Sequence, residues 1–233
     1  MRIVLSFLIL LQVAPPLEAS LVKKTGRILS SPFRINKTLG LYFAGLGFLA
    51  LSDEAIESGI TREENGEAIF KRITFMGRGE VTFGIGGLSY GLGYVLKDEK
   101  LSRTGRLTLE SNVITGLITT ALKAGLGRYR PFSGRGAFAF KPFRALDASF
   151  PSGHTSMVFS VATVFASQYS SPVPEIAYMT ASLVGLSRIY LSRHWSTDVW
   201  TGAFLGWAVG KAVVWLDRGE SVSIYPACIV LKF

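Results

Sequence analysis

Cysteine and histidine are almost absent from this chain: one cysteine and two histidines in 233 residues. A single cysteine, Cys228, excludes an intrachain disulfide and any cysteine-built metal cluster, and two histidines cannot form a multi-histidine zinc site. Catalysis, if present, is therefore expected to need no metal and no other cofactor. Charge is sparse as well, at 18% of residues against roughly 25% in soluble domains, while 48% are hydrophobic. That balance suggests a membrane or its surface. The sequence also lacks a Pro/Gly/Ser-rich linker and an internal repeat, so a solenoid is excluded and one domain is expected.

Long uncharged runs are missing too. Apolar stretches lie at Thr38–Ser52, Val81–Leu96, Ser111–Leu122, Thr155–Gln168, Ile176–Leu186 and Val199–Leu216. Most hold roughly 12 to 16 uncharged residues, short of the about 20 that cross a bilayer. Their Ala, Leu and Gly content predicts helices, hence an all-α bundle of about six. Short tilted spans and the core helices of a soluble bundle both fit.

What is present begins with MRIVLSFLILLQVAPPLEAS, an apolar run ahead of small residues. It reads as a signal peptide over residues 1–19, cut after Ala19 although Leu17 is large for its position; an uncleaved anchor is the alternative. Residues 20–233 are then one helical domain addressed to the cell envelope. The acidic stretch 52–67 reads as a solvated helix or loop. Gly84, Gly86, Gly87, Gly91 and Gly93 follow no strand, so close helix packing explains them better than a nucleotide loop. The tail 221–233 alternates weakly, as a short strand would. A net charge of +9 predicts an anionic partner, without choosing between lipid headgroups, nucleic acid and small phosphates.

Three stretches carry chemistry. In ALKAGLGRYRPF, Lys123 and Arg130 lie seven residues apart, on one side of a helix that runs that far. Pro131 disfavours helix at Arg130 and sets it at a helix–loop junction. Either cation alone also reads as a snorkelling surface group. In SFPSGHTS, Pro151 and short polar residues precede an apolar helix, so the N–H groups near Ser152 and Gly153 favour an anion. Ser152 as a plain cap uses the same geometry. His154 alone is equally compatible with a core histidine bonded to a carbonyl. In SRIYLSRHWSTD, Arg188 offers a planar fork to phosphate oxygens. His194 and Asp198 are four apart, so the carboxylate can accept from one imidazole nitrogen and leave the other as a nucleophile. Asp198 also reads as the N-cap of a helix from Val199, and Arg193 as a solvated neighbour.

Together the stretches read Lys-x6-Arg-Pro, Pro-Ser-Gly-His and Ser-Arg-x5-His-x3-Asp. The chain here resembles the type 2 phosphatidic acid phosphatase and vanadium haloperoxidase superfamily, matching it at Lys123, Arg130, Pro131, Pro151, Ser152, Gly153, His154, Ser187, Arg188, His194 and Asp198. The resemblance covers about residues 81–216. It implies a helical core in which the motifs converge on one oxyanion pocket. It further implies that His194 attacks phosphorus with Asp198 orienting it, that His154 is the general acid and base, and that Lys123, Arg130, Ser152, Gly153 and Arg188 hold the phosphate oxygens. The expected partner is a phosphorylated lipid or small phosphate, with a membrane nearby and no nucleic acid. A vanadate-dependent haloperoxidase and a non-catalytic protein binding anionic lipids are the alternatives.

Location is expected on the outer, periplasmic side. The short apolar segments favour a peripheral or partly embedded domain, whereas Lys23, Lys24, Arg27, Arg34 and Lys37 would hold a true first span's flank inside.

Overall fold

The apolar segments do fold as helices, but the helices outrun them. In the computed structural model, which describes residues 37–143, 147–219, 223–225 and 228–230, the helices are α1 (Lys37–Gly59), α2 (Glu64–Phe75), α3 (Gly79–Leu96), α4 (Glu99–Leu126), α5 (Gly153–Gln168), α6 (Val173–Tyr190) and α7 (Ser196–Asp217). The expected signal and most of the basic stretch after it lie outside the described residues. The tail forms not one strand but a small antiparallel pair, β1 (Ser223–Tyr225) and β2 (Cys228–Val230), with Ile224 opposite Ile229.

Helix α4 shows why the segments looked short. Asp98 caps it by accepting from the Leu101 amide at 2.9 Å, and 28 residues follow before Gly127 turns left-handed at φ 60. Its first half is interrupted by Arg103, Arg106 and Glu110, which the sequence pattern excluded from an apolar segment. Pairing admits them: Arg106 bridges the fully buried Glu110 at 2.8 Å and Asp217 of α7 at 2.6 Å, and Arg103 also reaches Asp217 at 2.6 Å. The segment read as Ser111–Leu122 is thereby part of a helix of 28 residues. Even the 16-residue α5 rises about 24 Å at 1.5 Å per residue. Helices α1 and α7 are long and apolar enough to cross a membrane.

Helix α2 makes a seventh and falls partly in the stretch read as solvated. Glu64 and Glu67 sit in its first turn and Arg72 in its last, each where the helix dipole favours it. The acidic stretch is not wholly solvated, however: Asp53 is 1% exposed.

Helix α5 is central. It shares one apolar cluster with α4 and α7 (Leu107, Ile114, Val164, Val209, Val213, Val214) and a second with α6 (Val158, Ala162, Ala181, Val184). Against α7 the contact is backbone to backbone. A Cβ on Gly202 would meet the Ser152 carbonyl oxygen at 2.8 Å, one on Gly210 would meet Thr163 Cβ at 2.8 Å, and one on Gly206 would overlap the Ser156 carbonyl oxygen. This spacing of small residues lets two helices touch along three turns. Among the glycines of α3, only Gly86 and Gly93 do this work, against α4; Gly84, Gly87 and Gly91 face open space.

Gly206→Val should therefore destabilise the chain by about 3 kcal/mol or more, through overpacking that neither backbone can relieve. Gly116→Ala, at a mid-helix position with nothing within 4 Å, should be neutral or stabilising by up to about 1 kcal/mol. Thermal unfolding of both variants in the same detergent checks the contrast.

Candidate active site

The close α5–α7 contact sets the N-termini of both helices at one end of the bundle, and each carries one of the histidines. His194 lies in the turn between α6 and α7, 2% exposed, with its amide donating to the Arg188 carbonyl at 3.2 Å. Its Nδ1 faces Asp198 Oδ2 at 3.5 Å. A carboxylate only accepts, so this nitrogen carries the proton and Nε2 keeps its lone pair. Burial pushes the imidazole down to about 3; Asp198 opposes this, and Lys123 and Arg188 add to it. His194 is thus neutral throughout the physiological range.

Asp198 is fully buried and has more partners than the spacing suggested. Its Oδ2 accepts from Ser149 Oγ at 2.5 Å and from the Trp195 amide at 2.9 Å, and its Oδ1 from Arg128 at 2.7 Å. Helix α7 begins at Ser196 rather than Val199. Asp198 is therefore not the N-cap, which is Trp195, but the third residue of the helix, accepting from the Trp195 amide while facing His194.

Lys123 closes the last turn of α4, and its ammonium donates to the carbonyls of Ala148 and, at 3.3 Å, Ser149. The helix ends before Arg130, as Pro131 requires, and Arg130 is held by the Asp147 carbonyl at 2.9 Å and its carboxylate at 3.2 Å. Arg188, in the last turn of α6, is fixed by one bond to Thr74 Oγ1 of α2 at 2.8 Å, while its buried Nε has no partner. A buried guanidinium donor without an acceptor is costly and marks where an anion belongs.

His154, in the first turn of α5, packs against Gly77 and lies within the field of Arg188, Arg78, Arg130 and Lys123. It shares Lys123 and Arg188 with His194, so the three motifs converge on one cationic site. Gly153 lies beside the Lys123 stem, with Cε 3.9 Å from where its Cβ would be. Ser152 departs from expectation. It occupies the N-cap position without capping: its amide donates to the Asp198 carbonyl at 3.0 Å and its hydroxyl pairs with Thr155 Oγ1 at 2.9 Å. The N–H groups left to an anion are those that follow it, starting with Gly153. Arg193 is exposed over the Phe132 ring, as expected of a neighbour.

Four supporting residues escaped the sequence reading. Thr74, Ser149 and Asp53 carry no local signal. Arg128 stood between Lys123 and Arg130 in the first motif, where its cation alone could have drawn attention.

Residues 106–220 match the PAP2 superfamily. A lipid A 1-phosphatase of Porphyromonas gingivalis is 37% identical over 107 residues, covering 45% of this chain and 22% of that one. A lipid A 1-phosphatase of Rhizobium etli is 34% identical over 133 residues, 54% of this chain and 56% of the relative. The chain thus spans only about half or less of these relatives. The fold is that of a transmembrane PAP2-type phosphatidylglycerolphosphate phosphatase from Bacillus subtilis, at TM-score 0.55 and 22% identity over 76% of this chain and 94% of that one. The same region carries the family match and the converged motifs, so residues 106–220 belong to the PAP2 superfamily.

Proposed function

We propose that this chain is a metal-independent phosphatase that removes phosphate from a phosphomonoester or diphosphate of a membrane lipid. The observation that carries the reading is the unpartnered buried Nε of Arg188 beside a neutral His194. Lys123, Arg130, Arg188 and the Gly153 amide bind the non-bridging oxygens and stabilise the charge of the transition state, the part a metal plays elsewhere. His194 Nε2 forms a bond to phosphorus as the bond to the ester oxygen breaks; His154, which takes up a proton from solvent once the bound phosphate has offset the cations around it, gives that proton to the departing oxygen. The phosphorylated ring is positive, with Nδ1–H against Asp198. Water, deprotonated by His154, then attacks phosphorus; the N–P bond breaks, inorganic phosphate leaves and both histidines return to their starting states.

A lipid substrate is supported by the apolar outer surface of the bundle, which also buries many hydroxyl groups beside its apolar clusters. The interior of α4 and α5 holds Thr104, Thr108, Ser111, Asn112, Thr115, Ser156, Ser160 and Thr163, all buried, while Leu51, Leu88, Tyr94, Val95 and Phe48 point outward, two-thirds exposed or more. Water would leave these large apolar groups at a cost; hydrocarbon accepts them, and helices in lipid meet through small and polar residues. This favours an embedded bundle over a peripheral one. The relatives' names point to lipid phosphates as well. Placement on the outer face of a cell envelope membrane completes the proposal.

Purified protein in mixed micelles should release phosphate from at least one of phosphatidate, an isoprenyl diphosphate, phosphatidylglycerophosphate or lipid A. Retention of all phosphate by the whole panel would overturn the reading. His194→Ala should lose on the order of 1,000-fold or more in kcat and form no acid-labile phosphoprotein. His154→Ala should lose about 100-fold or more on alkyl esters, yet still trap phosphoenzyme from a nitrophenyl ester whose leaving group needs no proton. Equal losses on both esters would remove His154 as the acid.

Because side-chain cations serve in place of metal, activity should be unchanged in excess chelator. Vanadate, which resembles the trigonal-bipyramidal transition state, should inhibit well below the substrate KM. Phosphate release measured in both conditions checks this, and loss in chelator restored by a divalent ion would contradict it.

A further inference from the structure

Asp53 lies in α1, about seventy residues before the first motif, and is buried at the centre of the site's scaffold. All its bonds run to the catalytic end of α7 and to Arg128. Its Oδ1 accepts from Ser196 Oγ at 2.5 Å and from the Thr197 amide at 3.0 Å; its Oδ2 accepts from Thr197 Oγ1 at 2.5 Å and from Arg128 at 2.8 Å. Arg128 is 4% exposed and extends its other terminal nitrogen to Asp198 Oδ1 at 2.7 Å and to Thr197 Oγ1 at 2.5 Å, with Nε on the Ala137 carbonyl at 2.8 Å. One guanidinium thus joins two buried carboxylates, and the second of them faces His194.

We infer that Asp53 is a positioning residue for phosphoryl transfer, holding Arg128 and the first turn of α7 so that Asp198 keeps both its place and its effective charge beside His194. The inference rests on His194 being the nucleophile proposed above. Charge makes the case. Asp53, Arg128 and Asp198 together carry one net negative charge, and this is what faces the ring that becomes positive when phosphorylated. Without the Asp53 charge the group is neutral, because Arg128 cancels Asp198. The phosphorylated state then loses its counter-charge, although no phosphate-binding cation has been touched. Geometry adds to this: Asp53 satisfies a free amide at the N-terminus of α7 from a different helix, and a carboxylate there also gains from the helix dipole. An Asp at a buried site with this many donors is costly unless each bond is made, which all are here.

The test is Asp53→Asn in the full chain, with p-nitrophenyl phosphate as substrate and inorganic phosphate as competing ligand. Asn keeps an oxygen for the α7 amide and removes the charge. The expected result is a tenfold to hundredfold fall in kcat, with KM and the inhibition constant of phosphate within threefold of wild type. A merely structural role would instead weaken phosphate binding along with turnover. Should Asp53→Asn not fold, Asp53→Glu, which keeps the charge but displaces its oxygens by one methylene from Arg128 and the first turn of α7, is expected to lower kcat severalfold with KM and phosphate inhibition again within threefold of wild type. Unchanged kcat, or losses in kcat and phosphate affinity that run in parallel, overturns the inference and leaves the phosphatase intact. A wild-type chain that hydrolyses neither p-nitrophenyl phosphate nor any of the lipids overturns the functional reading and this one with it.

Discussion

Everything at the catalytic end depends on the backbone contact between α5 and α7. Glycines 202, 206 and 210 on one helix lie against Ser152, Ser156 and the Ser160–Thr163 turn on the other, at a distance that no side chain larger than hydrogen permits. Two helices held so closely cannot slide or splay without breaking van der Waals contact along three turns. The consequence reaches the site through one bond: the Ser152 amide donates to the Asp198 carbonyl at 3.0 Å. The helix bearing His154 and the helix bearing Asp198 are thereby joined at their first turns, before any side chain of the site is considered.

On that frame the charges are arranged in two layers. Facing the pocket are Lys123, Arg130 and Arg188, anchored mainly by neutral groups: backbone carbonyls of 147–149 and the Thr74 hydroxyl. Neutral anchors orient a cation without cancelling it, so its charge remains available to an anion. Behind His194 the order is reversed, with Asp198, Arg128 and Asp53 compensating one another at distances of 2.7 to 2.8 Å. Burial keeps the imidazole neutral in front of this inner layer. The outer cations are thus left free to meet an anion, whereas the inner charges have already met one another.

The parts of this arrangement that were legible in the sequence are those encoded over short separations. Lys123 and Arg130, the Ser152–His154 run, and Arg188 with His194 and Asp198 are fixed by helix ends and turns within a dozen residues. Helix count and length were less legible, because a hydropathy pattern treats a charge as an interruption. Arg103, Arg106 and Glu110 interrupt nothing once Asp217, more than a hundred residues later, is brought beside them. Ser152 misled in the opposite way: its local sequence is that of a cap, but its hydroxyl pairs with the Thr155 side chain instead of a backbone amide, and its own amide is taken by α7.

Asp53 marks the limit of such reading. Its neighbours in sequence are acids that face solvent or reach across the surface, such as Glu57 with Arg62 at 2.7 Å, and nothing in the run SDEAIES distinguishes one carboxylate from the next. What separates it is a 144-residue loop closure that delivers the Thr197 amide to its Oδ1. Helix α1 reaches that point because Tyr42 stacks on Phe204 at 4.2 Å and donates to Thr201 at 3.1 Å, aligning it along α7. The apolar, outward-facing helix and the buried acid near its end are therefore one device: contacts along its length fix the axial position at which a single carboxylate meets the catalytic turn.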